Sequence, residues 1–275
     1  MAFISFHYSL FLLIITIFSS SKLANAANTI QNFHYFCDFN NRGNYTDNSI
    51  YHTNLKTLLS TLTSNTQINY GFYNSSNGEN TNKAYAIGLC RGDVKQNECL
   101  NCLKASSNNL TQLCPNRKEA IGWYEDEKCM LRYSDRSIFR FLEIGPAYYA
   151  NNMNNATDLS VFNEALRNLL DNLTRRASSG DSRLKYAADS TLGPNYQTIY
   201  GLVQCTPDLS ESDCNSCLVQ SIARIPIDCC KDKIGGRVVR PSCNMRFETN
   251  FPFYDPTATP PPPPPPEPGT CYYAH

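Results

Sequence analysis

The chain has 275 residues, of which 24 are basic and 24 acidic, so its formal net charge at pH 7 is zero. This balance, without a block of basic residues, argues against nucleic acid or an anionic membrane surface as the main partner. The chain also carries 13 cysteines, too many to be incidental, and their odd number leaves at least one without a partner inside the chain.

The first 26 residues have the pattern of a secretory signal peptide. Residues 9–18 form an uncharged apolar run, and the polar stretch after it ends in small residues at Ala24 and Ala26, which predicts cleavage after Ala26. The run is about half of the ~20 residues that a membrane span needs. No second run of spanning length follows. The sequence therefore predicts a secreted chain that loses residues 1–26 and has no membrane span.

Secretion brings the chain into an oxidising compartment, where paired thiols form disulfides. The same route offers N-glycosylation at Asn-x-Ser/Thr sequons. The predicted glycosylation sites are Asn44, Asn74, Asn109, Asn155 and Asn172.

The mature chain reads as two copies of one unit. Residues 90–102 and 205–217 share the spacing Cys-x8-Cys-x2-Cys. Each is preceded by leucines at i, i+3, i+4 and i+7, beginning at Leu55 and Leu166, which predicts a helix. The apolar runs "KAYAIGLC" and "QTIYGLVQC" indicate strands, and a second, weaker helix follows each third cysteine.

Each copy ends in an alternating segment with a cysteine, "IGWYEDEKCMLRYS" or "GGRVVRPSCNMRF", and "KIGG" before the latter predicts a hairpin turn. The sequence thus predicts an α+β fold of two tandem domains, each with two helices packed on an antiparallel sheet. The expected domains are residues 33–141 and 147–255, and residues 142–158 are expected to be a loop that contains their junction. Residues 256–275 form a proline-rich tail, expected to be extended polyproline.

Zinc binding, redox chemistry and disulfide bonding are the competing roles for the Cys-x2-Cys pairs. Zinc would need a second pair or histidines, but His34, His52 and His275 are the only histidines after the signal peptide, and none is at ligand spacing. A thioredoxin-type redox pair opens a helix in a βαβ context, which a loop of eight residues back to a third cysteine does not suit. Structural disulfides are favoured, and we expect no metal and no cofactor.

These residues resemble a known family. The Cys-x8-Cys-x2-Cys spacing, further cysteines 12 and about 27 positions on, and the phrases "GLVQC", "GGRV" and "PSCNMRF" resemble the ginkbilobin-type, or stress-antifungal, domain of plants. Tandem copies behind a signal peptide resemble cysteine-rich repeat secretory proteins, plasmodesmata-located proteins and the ectodomains of cysteine-rich receptor-like kinases. The resemblance covers about residues 33–255.

Spacing does not fix the pairing, because six cysteines allow fifteen connectivities. The resemblance implies a set of disulfides in each copy: Cys37–Cys114, Cys90–Cys99 and Cys102–Cys129 in the first, and Cys205–Cys214 and Cys217–Cys243 in the second.

The second copy departs from this pattern. When the two leucine helices are aligned, the counterpart of Cys37 falls near Tyr148, where there is no cysteine. Cys229 therefore lacks its expected partner, and three outcomes stay open: a bond to the adjacent Cys230, a bond to Cys271, or two buried thiols. Cys271 follows the proline run and is expected to be free or bonded to another chain.

Catalysis has no recognisable basis in this sequence. It has no Gly-x-Ser-x-Gly, phosphate-binding or dinucleotide-binding pattern, and His34 and His52 lie in no catalytic phrase. We expect no catalytic residue and no enzymatic activity.

Sugar binding has better support. The resemblance implies a mannose site made of an Asn just after the first cysteine, an Arg six residues before the last cysteine and a Glu five residues after it. In the second copy these offsets give Arg237 and Glu248, and such a pair can hold vicinal hydroxyls from opposite sides. The Asn position falls near Tyr149, with Asn151 and Asn152 as the nearest amides. An ordinary Arg–Glu pair across neighbouring strands is the competing interpretation.

The first copy does not follow the sugar pattern. The three offsets give Asp38, Trp123 and Ser134 there. The sequence therefore predicts a sugar site in the second copy alone.

Two functions follow. One is a secreted defence protein of the apoplast that binds mannose-type glycans or cell-wall polysaccharide through Arg237 and Glu248. The other is a protein-interaction module with an extracellular protein partner, equivalent to a receptor-kinase ectodomain. A receptor would need a membrane helix and a kinase after the proline run, so we expect a secreted protein or a truncated receptor product.

Overall fold

The computed structural model describes residues 33–124 and 126–257. The predicted signal peptide, Cys271 and nearly all of the proline-rich tail lie outside the described residues. The chain divides into two compact units with their main boundary between Phe139 and Arg140. Each unit has two α-helices and a five-stranded antiparallel sheet, which confirms the predicted α+β class. The expected limits 33–141 and 147–255 stay a prediction.

The elements of the first unit are β1 (Phe33–Cys37), α1 (Ile50–Thr63), β2 (Phe72–Asn77), β3 (Ala84–Cys90), α2 (Gln96–Leu113), β4 (Ala120–Tyr124) and β5 (Cys129–Ser134). Its sheet has the strand order β1-β4-β5-β3-β2. Ser49 is the N-cap of α1, and its hydroxyl accepts a hydrogen bond from the His52 N–H at 3.2 Å.

The elements of the second unit are β6 (Tyr148–Asn151), α3 (Leu159–Ser178), β7 (Lys185–Leu192), β8 (Thr198–Cys205), α4 (Glu211–Ile222), β9 (Gly235–Val239) and β10 (Cys243–Thr249). This unit repeats the topology of the first, with the strand order β6-β9-β10-β8-β7. Strand for strand the two orders correspond, so the internal repeat seen in the sequence is a repeat of the fold.

The core of the second unit lies between the helices and one face of the sheet. Phe162, Leu166 and Leu170 of α3 belong to the same buried cluster as Met245 and Phe247 of β10. Successive residues of a strand point to opposite faces, and burial along β10 alternates accordingly. The residues between the core positions of β10 therefore lie on the other face of the sheet, which we call the outer face.

Two predictions about the second unit were wrong. "KIGG" is not a turn, because Gly235 and Gly236 begin β9 and pair with Glu248 and Phe247, while the hairpin turns at residues 240–242. A Cβ at Gly235 would overlap the Glu248 carboxylate, and one at Gly236 would overlap the Cys230 sulfur. These glycines thus provide room for neighbouring atoms. The expected loop at residues 142–158 contains strand β6.

Five of the six disulfides of the described residues join a strand to a helix or to the residue directly after one. The structure contains Cys37–Cys114, Cys90–Cys99, Cys102–Cys129, Cys205–Cys214 and Cys217–Cys243, the pairs that the resemblance implies. Their Cα–Cα separations of 5.5 to 6.1 Å are typical of disulfides. Of the three outcomes left open for Cys229, the structure has the bond to Cys230.

Candidate functional site

The outer face of the second unit brings the two predicted sugar-site residues together. Strand register places Arg237 of β9 directly opposite Arg246 of β10, and Gly235 opposite Glu248. Arg246 and Glu248 are two positions apart on β10 and share the outer face. The Arg246 Nη2 donates to Glu248 Oε1 at 3.4 Å. The sequence reasoning missed Arg246, although its place two residues before Glu248 on an alternating strand was a usable signal.

Gly235 sets the position of the carboxylate. The Glu248 carboxylate lies over this glycine, at the place that a Cβ would occupy. Glu248 can therefore lie flat against the backbone of β9, and its side chain stays 20% exposed.

The pairing register also corrects the alignment of the two units. Cys129 and Cys243 form corresponding disulfides, and the arginine three residues after each pairs with Ile121 in the first unit and with Arg237 in the second. The first-unit counterpart of Arg237 is thus Ile121 and not Trp123. The offset failed because Ile121 precedes its cysteine by eight residues, whereas Arg237 precedes Cys243 by six.

The same register locates the expected asparagine. In the first unit Phe36 pairs with Ile121, and in the second Ala150 pairs with Arg237. Phe36 and Ala150 therefore correspond. The next residues, Cys37 and Asn151, correspond as well. The residue directly after Asn151 is Asn152, so Asn152 is at the position where the resemblance expects the sugar-binding asparagine. This position lies three residues after Tyr149, near which the alignment of the helices had placed it. Counting from the helices failed because Leu55 follows Cys37 by 18 residues, whereas Leu166 follows Asn151 by only 15.

Asn151 replaces a disulfide by a hydrogen bond. Its Nδ2 donates to the Cys229 carbonyl oxygen at 3.0 Å. In the first unit the corresponding positions are Cys37 and Cys114, which are covalently bonded. The Asn151 amide therefore anchors β6 at the place where a disulfide anchors β1 in the first unit. Cys229 forms its disulfide with the adjacent Cys230.

A cavity of about 90 Å³ opens beside these residues. Its lining includes Asn151, Asn152, Arg237, Arg246 and Glu248. The Asn, Arg and Glu positions of the implied sugar site thus meet at one cavity. It is too small to enclose a hexose ring.

Aromatic rings orient both arginines of the cavity. The Arg246 guanidinium lies 4.5 Å from the centre of the Phe253 ring, and the Arg237 guanidinium 5.7 Å from that of Tyr148. Contacts within about 6 Å are attractive and leave the charge in place. Phe253 is itself backed by Tyr254 at 5.4 Å. The segment after β10 therefore helps to fix Arg246.

In the first unit, the arginine that corresponds to Arg246 is buried in an ion pair. Arg132, the counterpart of Arg246, donates to Glu119 Oε1 at 3.1 Å, and the two side chains are 3% and 0% exposed. Asn40 donates to the same oxygen at 3.1 Å, and the Arg136 Nη2 lies 3.7 Å from it. With Ile121 at the place of Arg237, this unit encloses its own carboxylate.

Two larger grooves lie between helices. One of about 490 Å³ separates α1 from α2 and has a mixed lining with Lys56 and Lys104. The other, of about 450 Å³, lies between α3 and α4 and is lined mainly by apolar side chains such as Leu166, Ile222 and Ile225.

The remaining predicted sites are surface features. Of the sequons, Asn44, Asn74, Asn155 and Asn172 are exposed and Asn109 is half-buried.

Within the described ranges no group of three or more His, Cys, Asp or Glu side chains is arranged to hold a metal ion. In the same part of the chain, no helix is both long and apolar enough to span a membrane.

Comparison with known proteins decides the family. The model of the salt stress response/antifungal family matches residues 36–136 and again residues 149–250. The chain belongs to this family. The family resemblance stated from the cysteine spacing is thereby confirmed, and both matched ranges contain a complete Cys-x8-Cys-x2-Cys motif.

The matched relatives include receptor-like kinases and a secretory protein. The chain is 46% identical over 219 residues to cysteine-rich receptor-like protein kinase 26 of Arabidopsis thaliana, covering 79% of this chain and 32% of the kinase. It is 37% identical over 232 residues to cysteine-rich repeat secretory protein 38 of the same plant, covering 84% of this chain and 88% of that protein. The chain thus spans about a third of the length of the receptor kinases that it matches.

A solved structure shares the fold. The tandem DUF26 ectodomain of the Arabidopsis thaliana cysteine-rich receptor-like protein PDLP8 matches with a TM-score of 0.66 at 21% identity, covering 78% of this chain and 95% of that one. This likeness confirms the architecture of two tandem disulfide-bonded domains.

Proposed function

We propose that this chain is a secreted, non-catalytic stress or defence protein that binds mannose-type glycans, or a cell-wall polysaccharide containing them, at the cavity of its second unit. Its disulfides, its predicted signal peptide and its likeness to a secretory protein and to an ectodomain support an extracellular location. The apoplast is the compartment that we propose.

The observation that carries the proposal is the meeting of Asn152, Arg237 and Glu248 at one cavity. A carboxylate accepts hydrogen bonds from two neighbouring hydroxyls, and a guanidinium donates to their oxygens from the other side. The Asn152 Oδ1 accepts the Asn154 N–H at 3.0 Å, which leaves the Nδ2 group as the donor for a sugar oxygen. Because the aromatic contacts fix the arginines in advance, little side-chain freedom is lost on binding.

Binding to mannose oligomers tests this proposal. Each charged hydrogen bond contributes about 1.5–3 kcal/mol, so Arg237→Ala and Glu248→Ala should each raise the dissociation constant at least ~10-fold. Arg175→Ala, at an exposed arginine of α3 outside both the cavity and the groove between α3 and α4, is the matched control and should bind like wild type. Folded wild-type protein that bound no glycan on an array would end the proposal. Normal binding by both site variants would show that the site is wrong.

The second candidate function is a protein-interaction module like a receptor-kinase ectodomain. The match to receptor kinases and the apolar groove between α3 and α4 favour it. Val219 in this groove is 53% exposed. If this function is the right one, Val219→Asp should abolish capture of an extracellular protein partner, while Arg237→Ala should leave that capture unchanged.

A further inference from the structure

The groove between α1 and α2 of the first unit has a cationic lining. Its volume is about 490 Å³, which is within the range of ligand-binding clefts. Lys56 of α1 and Lys104 of α2 line it, and no Asp or Glu is among the described residues around it. Both lysines are exposed, and within the described ranges neither ammonium group forms an ion pair or a hydrogen bond. Their charges can therefore attract a ligand.

Uncharged polar side chains complete the lining of this groove. They are the hydroxyl-bearing Ser60 and Ser107 and the amide-bearing Asn108 and Asn116. In the part of the chain that the structure describes, none of these four side chains is engaged in a hydrogen bond. Both helices thus offer polar groups to a ligand that lies between them.

The second unit has a groove at the same place in the fold, between α3 and α4. Its lining residues are aligned with those of the first groove through the leucine helices and the Cys-x8-Cys-x2-Cys motifs. The aligned pairs are Lys56 and Arg167, Ser60 and Asp171, Lys104 and Val219, Ser107 and Ile222, and Asn108 and Ala223. The second groove thus has an apolar wall on α4 and a carboxylate on α3. The framework does not require a cationic lining at this place.

The groove of the first unit is elongated. Its lining follows α1 from His52 to Thr63, which is about 16 Å of helix at about 1.5 Å per residue. Leu55 and Leu59 also line it and are 1% and 5% exposed, so they lie at its base. An extended chain rises about 3.3 Å per residue. The groove is therefore long enough for about five residues of an extended peptide.

We propose that this groove binds an extended acidic peptide segment of an extracellular protein, with carboxylates of the segment beside Lys56 and Lys104. Ammonium groups only donate hydrogen bonds, and carboxylates and peptide carbonyl groups only accept them. A sugar hydroxyl also donates, and the cavity proposed for sugar supplies Glu248 as a charged acceptor. The charged groups of the groove therefore suit an acidic peptide better than a glycan. This site is separate from the sugar cavity, and the inference does not depend on sugar binding.

The test compares peptides that differ in charge. Binding of the full chain is measured for hexaglutamate and hexaglutamine, with galacturonate oligomers as an acidic probe without peptide bonds. Hexaglutamate should bind at least ~10-fold tighter than hexaglutamine, since one charged hydrogen bond is worth about that factor. Galacturonate oligomers should bind at least ~10-fold more weakly than hexaglutamate. Added salt should weaken hexaglutamate binding, because exposed charges are screened.

Exchanges between the two grooves assign the effect to residues. Lys104→Val and Ser60→Asp give the first groove the residues that the second has at these places. Each should weaken hexaglutamate binding at least ~10-fold, through a lost charge partner or through repulsion. Lys95→Gln, at an exposed lysine outside the groove, lowers the net charge by the same amount and should change binding by less than ~3-fold. Both groove variants should bind mannose oligomers like the wild type, and thermal unfolding separates loss of binding from loss of fold.

Acetylation of lysines locates the peptide on the wild-type protein. Bound hexaglutamate should protect Lys56 and Lys104 from an amine-reactive reagent, whereas Lys95 should react as it does in the free protein. Mass spectrometry of the digested protein measures the modified fraction at each lysine. Equal protection of Lys95 would contradict the placement of the peptide in the groove.

Two further results would overturn the proposal. One is equal binding of hexaglutamate and hexaglutamine, or a loss in Lys95→Gln as large as in Lys104→Val, because net charge alone would then explain the attraction. The other is binding of galacturonate oligomers as tight as that of hexaglutamate and equally sensitive to Lys104→Val. In that case the groove would bind an acidic carbohydrate and not a peptide.

Discussion

At Gly235 the absence of a side chain makes room for a charged group. The Glu248 carboxylate occupies the volume in which a Cβ would lie. The same holds at Gly236 for the sulfur of Cys230. Each glycine thus sets the position of a neighbouring side chain.

We predict that Gly235→Ala moves Glu248 away from β9 and weakens glycan binding at least ~10-fold. Overpacking of this kind should also lower the free energy of unfolding by about 1–3 kcal/mol. The matched control is Gly145→Ala, because a Cβ there would meet no atom within 4 Å. Titration with mannose oligomers and chemical unfolding measure both effects. Wild-type affinity in Gly235→Ala would contradict this role of the glycine.

A second prediction concerns Asn151. Asn151→Ala should lower the free energy of unfolding by about 1–2 kcal/mol, because the Cys229 carbonyl loses its donor. Asn151→Cys combined with Cys230→Ser should form a disulfide to Cys229, as the first unit does between Cys37 and Cys114. Peptide mapping under non-reducing conditions detects this bond. A free thiol at position 151 would show that the two units are not equivalent here.

Among the elements, disulfides of different span stabilise to different degrees. Cys37–Cys114 joins residues 77 apart, and Cys90–Cys99 joins residues 9 apart. A longer closed loop removes more freedom from the unfolded chain.

We predict that replacing Cys37 and Cys114 by Ser costs about 4.5 kcal/mol of unfolding free energy, against about 2.7 kcal/mol for Cys90 and Cys99. Urea unfolding of the two double variants measures the difference of about 2 kcal/mol. Equal destabilisation would mean that strain or residual structure, and not loop length, controls these bonds.

Sequence predicted the central elements of the fold better than the outer ones. The leucine period gave α1 and α3, and apolar runs gave β3 and β8, because these elements contact the core. The edge strands β1, β2, β6 and β7 escaped notice. In β2, for example, "FYNSSN" has polar residues where an apolar run would have indicated a strand. The resemblance supplied Arg237 and Glu248. It did not supply Arg246, which becomes visible only once the strand register places it opposite Arg237.

At the scale of the whole molecule, the two units share a topology but not a site. The first unit has Ile121 and Ser134 where the second has Arg237 and Glu248. Arg132, the first-unit counterpart of Arg246, is buried against Glu119. Duplication has thus kept the framework of helices, sheet and disulfides while the outer faces have diverged.

We therefore predict one glycan site per chain. Isothermal titration with a short mannose oligomer should give a stoichiometry near one, and Arg132→Gln, in the first unit, should not change the affinity if the protein stays folded. Near-ultraviolet circular dichroism checks the fold of this variant. A stoichiometry of two would place a second site in the first unit and contradict the role given to Ile121.

The hydrogen bond from Asn151 to the Cys229 carbonyl has a consequence for reducing surroundings. A thiol reagent that cleaves Cys37–Cys114 detaches β1 from the end of α2, but it has no sulfur to attack between Asn151 and the Cys229 backbone. Strand β6, which forms one wall of the cavity, therefore keeps its anchor when the corresponding strand of the first unit has lost its own. This connection of the second unit is therefore insensitive to thiols, although the Cys205–Cys214 and Cys217–Cys243 bonds of that unit are not.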